Sequence, residues 1–256
     1  MAVTEFKAAT DQFRRKIIAP TYLTSSQILG IDSSIRRAAL FSAQTANAGY
    51  LQKIMSVVDS ILAPKTVMRD GLPVTEGMNF ADARLALKEA LDKISYQPKP
   101  GEAGTIQDLR SDGRLNLITT TQVEMSQGFG QMVLGQDETI LDQWPAQELF
   151  RAEDRKEERD WNSRWKQAAT AANDGNAYRV LSDYGVMIAM KDSVIWDMLG
   201  ELWDDSLGNP YPPFAFRSGM WIRDVDRDKA IELGLCDSDA KVQPREVMFK
   251  TDESAW

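Results

Sequence analysis

The residues best suited to chemistry are acidic. Asp204 and Asp205 are adjacent beside Trp203, and two neighbouring carboxylates are oxygen ligands of the kind Mg²⁺ takes. A second group, Glu153, Asp154, Glu157, Glu158 and Asp160, alternates with Arg151, Arg155, Lys156 and Arg159. Acids with a lysine suggest a metal-dependent nuclease, and Asp183 with Lys191 flanks a possible strand in the same way. Each pattern also has a plainer reading: paired acids close helices in solvated turns, and charges of alternating sign compensate one another on an exposed face or across a subunit contact. The plainer reading is favoured in all three places.

Other chemistries lose their side chains. The 256 residues contain no histidine, which removes His-based triads, His/Cys zinc sites and imidazole acid-base catalysis. The lone Cys236 follows Leu233, Gly234 and Leu235 and reads as a small, at least half-buried residue; it cannot form an intrachain disulfide. Ser218-Gly219 lacks the Gly-x-Ser-x-Gly context of a nucleophile elbow. Gly128 and Gly130 lie in a helical pattern without the Lys-Ser/Thr of a phosphate loop, and so predict close helix packing. No cofactor is expected. A net charge of -8 opposes nonspecific DNA binding. No apolar run approaches the ~20 residues of a membrane span, so a soluble protein that stays in the compartment of its synthesis is expected, and a single cysteine fits a reducing cytoplasm.

The elements around these residues divide in character. Phe6, Ala9, Phe13 and Ile17 share one face of a helix from residue 2 to about 19, which Pro20 stops. A long helix capped at Asp32 or Ser33 is expected to run to about Leu62, with Ile35, Ala39, Ala46, Tyr50, Ile54, Val57, Val58 and Ile61 inside. A Gly/Pro-punctuated loop follows through Gly77, then a helix capped by Asn79. The Gln-Pro-Lys-Pro-Gly stretch at 97–101 reads as a linker or surface loop. Leu109 to Leu134 is helical, with Gln122 in its apolar stripe as a hydrogen-bonded buried polar group. Beyond it, Glu148–Arg151, Tyr178–Leu181 and Val186–Met190 read as short strands. Helices are expected over 159–172, 194–203 and 227–235, the last capped by Asp226 and stopped at Gly234. The fold expected is α+β and predominantly helical: a helical domain over 1–105 with an N-terminal arm, then a domain over 106–256 with a small sheet packed on helices and a C-terminal tail.

Asn209-Pro210-Tyr211-Pro212-Pro213-Phe214-Ala215-Phe216 is a stiff strap, because each proline fixes its own φ and extends its predecessor. Trp161, Trp196, Phe214, Phe216 and Met220 are expected to share one buried aromatic cluster. Phe6, Phe13 and Ile17 in the arm, with Met248, Phe249 and Trp256 in the tail, are the candidate partner-binding anchors.

Four stretches carry a resemblance: LNLITTTQVEMSQGFGQ (115–131), WPAQELFRAEDRKEERDW (144–161), VMIAMKDSVIW (186–196) and PPFAFRSGMWIRDVDR (212–227). Together they resemble the phage Mu F-like head morphogenesis proteins, minor head proteins of tailed bacteriophages. The resemblance covers about 109–235, and RRAALFSAQTANAGYLQ (36–52) is similar more loosely. It implies a non-enzymatic virion component at the portal/capsid vertex, acting in head assembly or in genome packaging and release. Its implied partners are the portal protein, the major capsid protein and further copies of itself. It would reside in the head or neck of the virion, and in the host cytoplasm during assembly. The wider family often carries Cys and His after the helix that here reads Thr120-Thr121-Gln122; this chain has no such pair, and with it goes the metal-site or enzymatic reading that the wider family would invite. The alternatives from other classes are a Mg²⁺-dependent nuclease or DNA-processing factor, and a transient assembly chaperone.

Overall fold

The computed structural model describes residues 2–70, 72–155 and 157–246, without the side chains of residues 2–6 and 75. The fold is α+β and mainly helical. Two compact units divide between Gln127 and Gly128. That point lies inside helix α6 (Asp112–Gly135), not at the Pro/Gly stretch where the sequence suggested a boundary near residue 105. A proline-rich loop marks where a chain leaves a helix, but here the helix after it contributes Leu115 and Val123 to the first core.

In the first unit, α1 (Ala2–Arg14) is followed by β1 (Ile17–Ile18), the short helices α2 (Ser25–Leu29) and α3 (Ser33–Ala38), and β2 (Ala39–Leu40). Helix α4 (Ala48–Leu62), strands β3 (Lys65–Arg69) and β4 (Leu72–Glu76), and α5 (Phe80–Lys93) complete it up to α6. The core gathers Phe13, Leu40, Leu51, Ile54, Val58, Leu87 and Leu91 with the start of α6.

Three expectations change here. The helix expected over 32–62 is two helices, α3 and α4. Asp32 does cap α3, but residues 39–40 leave it to pair in parallel with 17–18, and Asn47 restarts the chain by accepting the Tyr50 N–H at 2.8 Å. Alanines at 38, 39 and 43 favour helix by propensity, and the tertiary pairing with β1 overrides it. The same pairing ends α1 at Arg14 instead of near Pro20. The stretch expected as a loop before Gly77 is the antiparallel hairpin β3–β4, with Lys65 opposite Glu76 and Arg69 opposite Leu72. Two residues, Asp70 and Gly71, separate its strands, and Asp70 has φ +51° as a tight hairpin turn requires.

In the second unit, α7 (Glu138–Gln143) leads to β5 (Ala146–Arg151), α8 (Trp161–Ala171), α9 (Gly175–Tyr184), β6 (Met187–Met190), α10 (Ile195–Glu201), β7 (Met220–Val225) and α11 (Arg227–Glu232). The three-stranded antiparallel sheet has the order β6-β5-β7. The strand expected at Tyr178–Leu181 is instead part of α9. Asp174 caps that helix, Gly185 at φ +73° stops it, and Ala177, Val180 and Leu181 are buried at i, i+3 and i+4. Strand β7 takes its place in the sheet. Asp226 caps α11 and Gly234, at φ +63°, follows it, as its sequence pattern implies.

Buried in the first unit, Lys16 donates through Nζ to Gln122 Oε1 at 3.0 Å and lies over the Phe13 ring. Gln122 is thus a satisfied, half-buried polar group, its partner an ammonium. Burial pushes Lys16 down to about 8, and no carboxylate of the described residues offsets it. A lysine with a folded pKa below its unfolded one binds fewer protons when folded, so stability is flat below pH 8 and rises as pH climbs from about 8 to about 10.5. Unfolding free energy is expected to increase by about 2 kcal/mol between about pH 7 and pH 9.5. Urea titrations at both values check this; Lys16→Met should remove the part of the rise that belongs to Lys16, leaving the contribution of other buried groups such as Lys191.

Candidate functional site

Asp205, the less exposed of the adjacent acids, is occupied by the chain itself. Asp205 accepts from Arg159 Nε at 2.5 Å and from Arg164 Nη1 at 2.9 Å. Arg164 also lies between two indoles, 5.3 Å from Trp161 and 4.8 Å from Trp203. Arg159 donates further to the Phe216 and Arg217 carbonyls at 2.7 and 3.2 Å. A carboxylate already neutralised by two guanidiniums is a poor ligand for a further cation, and this one, through Arg159, ties α8 to the strap. Burial pushes the Asp205 carboxyl up, but Arg164 and Arg159 pull harder and hold it below the usual carboxylate range. Its contribution is therefore present above the unfolded carboxylate pKa and lost as pH falls through the lowered folded value. Asp205→Asn should cost about 2–3 kcal/mol in urea unfolding at neutral pH, since it leaves two half-buried arginines without their counter-charge. Exposed Asp204→Asn should cost almost nothing.

The charged run behaves similarly: Arg155 pairs with Glu153 at 2.7 Å and Arg151 with Glu158 at 3.6 Å. Lys191 is buried, with Nζ 2.7 Å from Asp224 Oδ1 in an ion pair not aligned as a hydrogen bond. Burial pushes the Lys191 ammonium down and Asp224 partly restores it. Asp183 meets Arg179, 3.8 Å away. Cys236 is half-buried against α11 and its thiol is pushed up by burial, which suits packing and not nucleophilic attack. Among the described residues, no group of three or more His, Cys, Asp or Glu side chains could hold a metal ion. A 420 Å³ groove beside β7 is lined by Glu148, Arg223, Asp224 and Lys229, whose charges already pair with protein groups.

Of the aromatic cluster, Trp161, Trp196, Phe214 and Met220 share one buried core with Trp165, Leu149 and Ile195. Phe216 does not: it is half-buried, because the chain turns outward at Arg217 with φ +50° and places the Phe216 carbonyl against Arg159. Trp165, which the sequence reading left out, stands edge-on to Trp196 at 5.4 Å and donates its indole N–H to Ala177 O. Its i+4 spacing from Trp161 was the available signal.

The terminal anchors fare differently. Phe13 is fully buried in the core of its own unit and cannot be a docking residue, and Ile17 is tied into β1. An apolar helical stripe has the same spacing whether it docks in its own domain or on a neighbour, so periodicity could not tell them apart. Removing residues 1–18 should accordingly destabilise the first unit. The side chain of Phe6, with Met248, Phe249 and Trp256, lies outside the described residues. The tail is anchored as far as Arg245, whose N–H meets Gln136 Oε1 at 2.6 Å and whose guanidinium meets Ser193 O and Asp197.

The β3–β4 hairpin, which the sequence reading missed, exposes apolar side chains. Met68 on one face of the ribbon and Leu72 on the other are 67% and 68% exposed, and Val74 is exposed on the face of Leu72. Among the named elements, β3 and β4 pack substantially only on each other. An isolated two-stranded ribbon is marginally stable in water, and exposed apolar side chains on it gain free energy only when something covers them. Alternating Val, Met, Leu and Val around Asp-Gly was the available signal.

No family model matches the chain, and neither a curated protein nor a solved structure matches it.

Proposed function

We propose that this chain is a non-enzymatic structural component of a tailed-phage virion, a minor head protein that docks at the portal/capsid vertex during head assembly or genome packaging and release. Its partners would be the portal protein, the major capsid protein and other copies of itself, in the host cytoplasm during assembly and in the virion head or neck afterwards. The observation that carries the reading is the β3–β4 hairpin, an exposed ribbon whose apolar Met68, Leu72 and Val74 are left uncovered by the described residues. The resemblance of residues 109–235 to Mu F-like head proteins supplies the setting. The engagement of Asp205 and of the 151–160 run in ion pairs favours an architectural role over a nuclease. A net charge of -8 sets DNA low among the partners.

Mass spectrometry of purified proheads and virions tests this, with the intact chain and a variant whose residues 66–75 are replaced by a short Gly/Ser turn. The intact chain is expected in both particles. The variant should fold by circular dichroism yet be incorporated at least tenfold less. Presence in proheads alone would make the chain an assembly chaperone, and absence from both particles overturns the reading.

A further inference from the structure

The hairpin's geometry defines which of its edges is open. Arg69 and Leu72 flank a two-residue turn, so they form a hydrogen-bonded pair, and the alternation of an antiparallel ladder makes 67/74 and 65/76 bonded pairs too. Thr66, Met68, Pro73 and Thr75 therefore direct their backbone groups away from the partner strand. Pro73 fits this assignment, since it has no N–H to offer and stands opposite Met68. The two edges are thus unequal. The β4 edge is interrupted at Pro73, whereas the β3 edge presents N–H and C=O groups at both Thr66 and Met68 that no described residue pairs with.

Charge then selects the occupant. Lys65, Val67 and Arg69 share one face of β3 and are flanked by those free backbone groups. Two copies meeting edge to edge about a two-fold axis at Val67, the register that uses both free N–H groups, would set Lys65 against Arg69 of the other copy twice. Like charges directly opposite destabilise a strand pair. Arg69 meets Glu76 within the hairpin, and no carboxylate of the hairpin lies on the open side of β3.

We infer that the β3 edge is a strand-addition site for an extended acidic segment of a partner protein, one with carboxylates two residues either side of an apolar residue. The incoming strand would bond to the Thr66 and Met68 backbone, place its carboxylates opposite Lys65 and Arg69, and lay its apolar residue against Val67. This rests on the docking reading above and names the partner's chemistry.

The test uses the full ¹⁵N-labelled chain and three synthetic peptides: TETVSET, its lysine counterpart TKTVSKT, and TEPVPET, which keeps the charge and removes two backbone donors. TETVSET is expected to shift the Thr66 and Met68 amides and to bind at least tenfold more tightly than either control. Met68→Pro, which removes the edge donor as Pro73 does on the other strand, should lose at least tenfold in affinity with circular dichroism unchanged. Lys65→Glu with Arg69→Glu should reverse the preference toward TKTVSKT, and this keeps the test decisive if the proline variant does not fold. Equal binding of the three peptides overturns the inference. So does concentration-dependent dimerisation in sedimentation that Met68→Pro abolishes, because a second copy would then own the edge. In particles, normal incorporation of Met68→Pro alongside loss of the 66–75 replacement overturns strand addition and leaves the docking reading standing; normal incorporation of both overturns the docking reading itself.

Discussion

Trp196→Ala is expected to lower the unfolding free energy of the second unit by about 3–5 kcal/mol, the range for truncating a fully buried large aromatic residue. The indole is buried to 0% exposure and is held from three directions. Trp165 meets it edge-on at 5.4 Å, Phe214 stacks on it at 6.1 Å, and its N–H donates to Met190 O at 2.9 Å. Truncation would leave a cavity that the stiff strap cannot fill by sliding inward, and would strip the Met190 carbonyl of its side-chain donor. Trp196→Phe keeps most of the volume and should cost less than half as much. Urea unfolding followed by far-UV circular dichroism and by tryptophan fluorescence separates the two. A loss below about 1 kcal/mol for the alanine variant would show that this cluster is not the core of its unit.

That cluster was legible because tryptophan, phenylalanine and proline leave few options: such rings are large, and the strap that carries Phe214 is stiff enough that its partners must come to it. Helix caps were legible for a similar local reason. Asn79 accepts the Ala81 and Asp82 N–H groups, and Asp226 accepts that of Lys229, as their positions before an apolar-periodic run imply. What escaped the sequence reading is non-local. Whether residues 39–40 continue a helix depends on the presence of residues 17–18 beside them, and no window around Ala39 contains that information. Strand β7 was not read from the sequence, although its alternation places Met220 and Ile222 inward. Phe13 was read as an anchor because exposure was assigned to the terminus by position. Burial of Phe13 and exposure of Met68 follow from which apolar face finds a partner in its own unit, and that is settled by packing.

The strap also explains two glycines, and substituting them gives an effect opposite in sign to helix propensity. Gly128 lies in α6 and Gly200 in α10, where alanine would ordinarily stabilise a helix by roughly 1 kcal/mol. Here the backbone of the strap occupies the space a side chain needs. A Cβ at Gly128 would stand 1.8 Å from Pro212 O, and one at Gly200 would stand 2.0 Å from Asn209 O. The obstacles are main-chain atoms of a proline-stiffened segment, and the Gly208 N–H to Gly200 O bond of 2.7 Å fixes the approach at α10. Neither helix can accept a methyl group without lifting the strap and with it Phe214, whose N-terminal neighbours are Pro212 and Pro213. Gly128→Ala and Gly200→Ala are each expected to cost about 3 kcal/mol or more, at the upper end of overpacking. Both press on one strap, so the double variant should cost less than the sum of the singles, since the second methyl enters space the first has already opened. Chemical denaturation of the two singles and the double measures this. A stabilised Gly200→Ala protein would mean that the strap rests on α10 more loosely than 2.0 Å allows, and the close approach that the sequence pattern of Gly128 and Gly130 suggested would then belong to α6 alone.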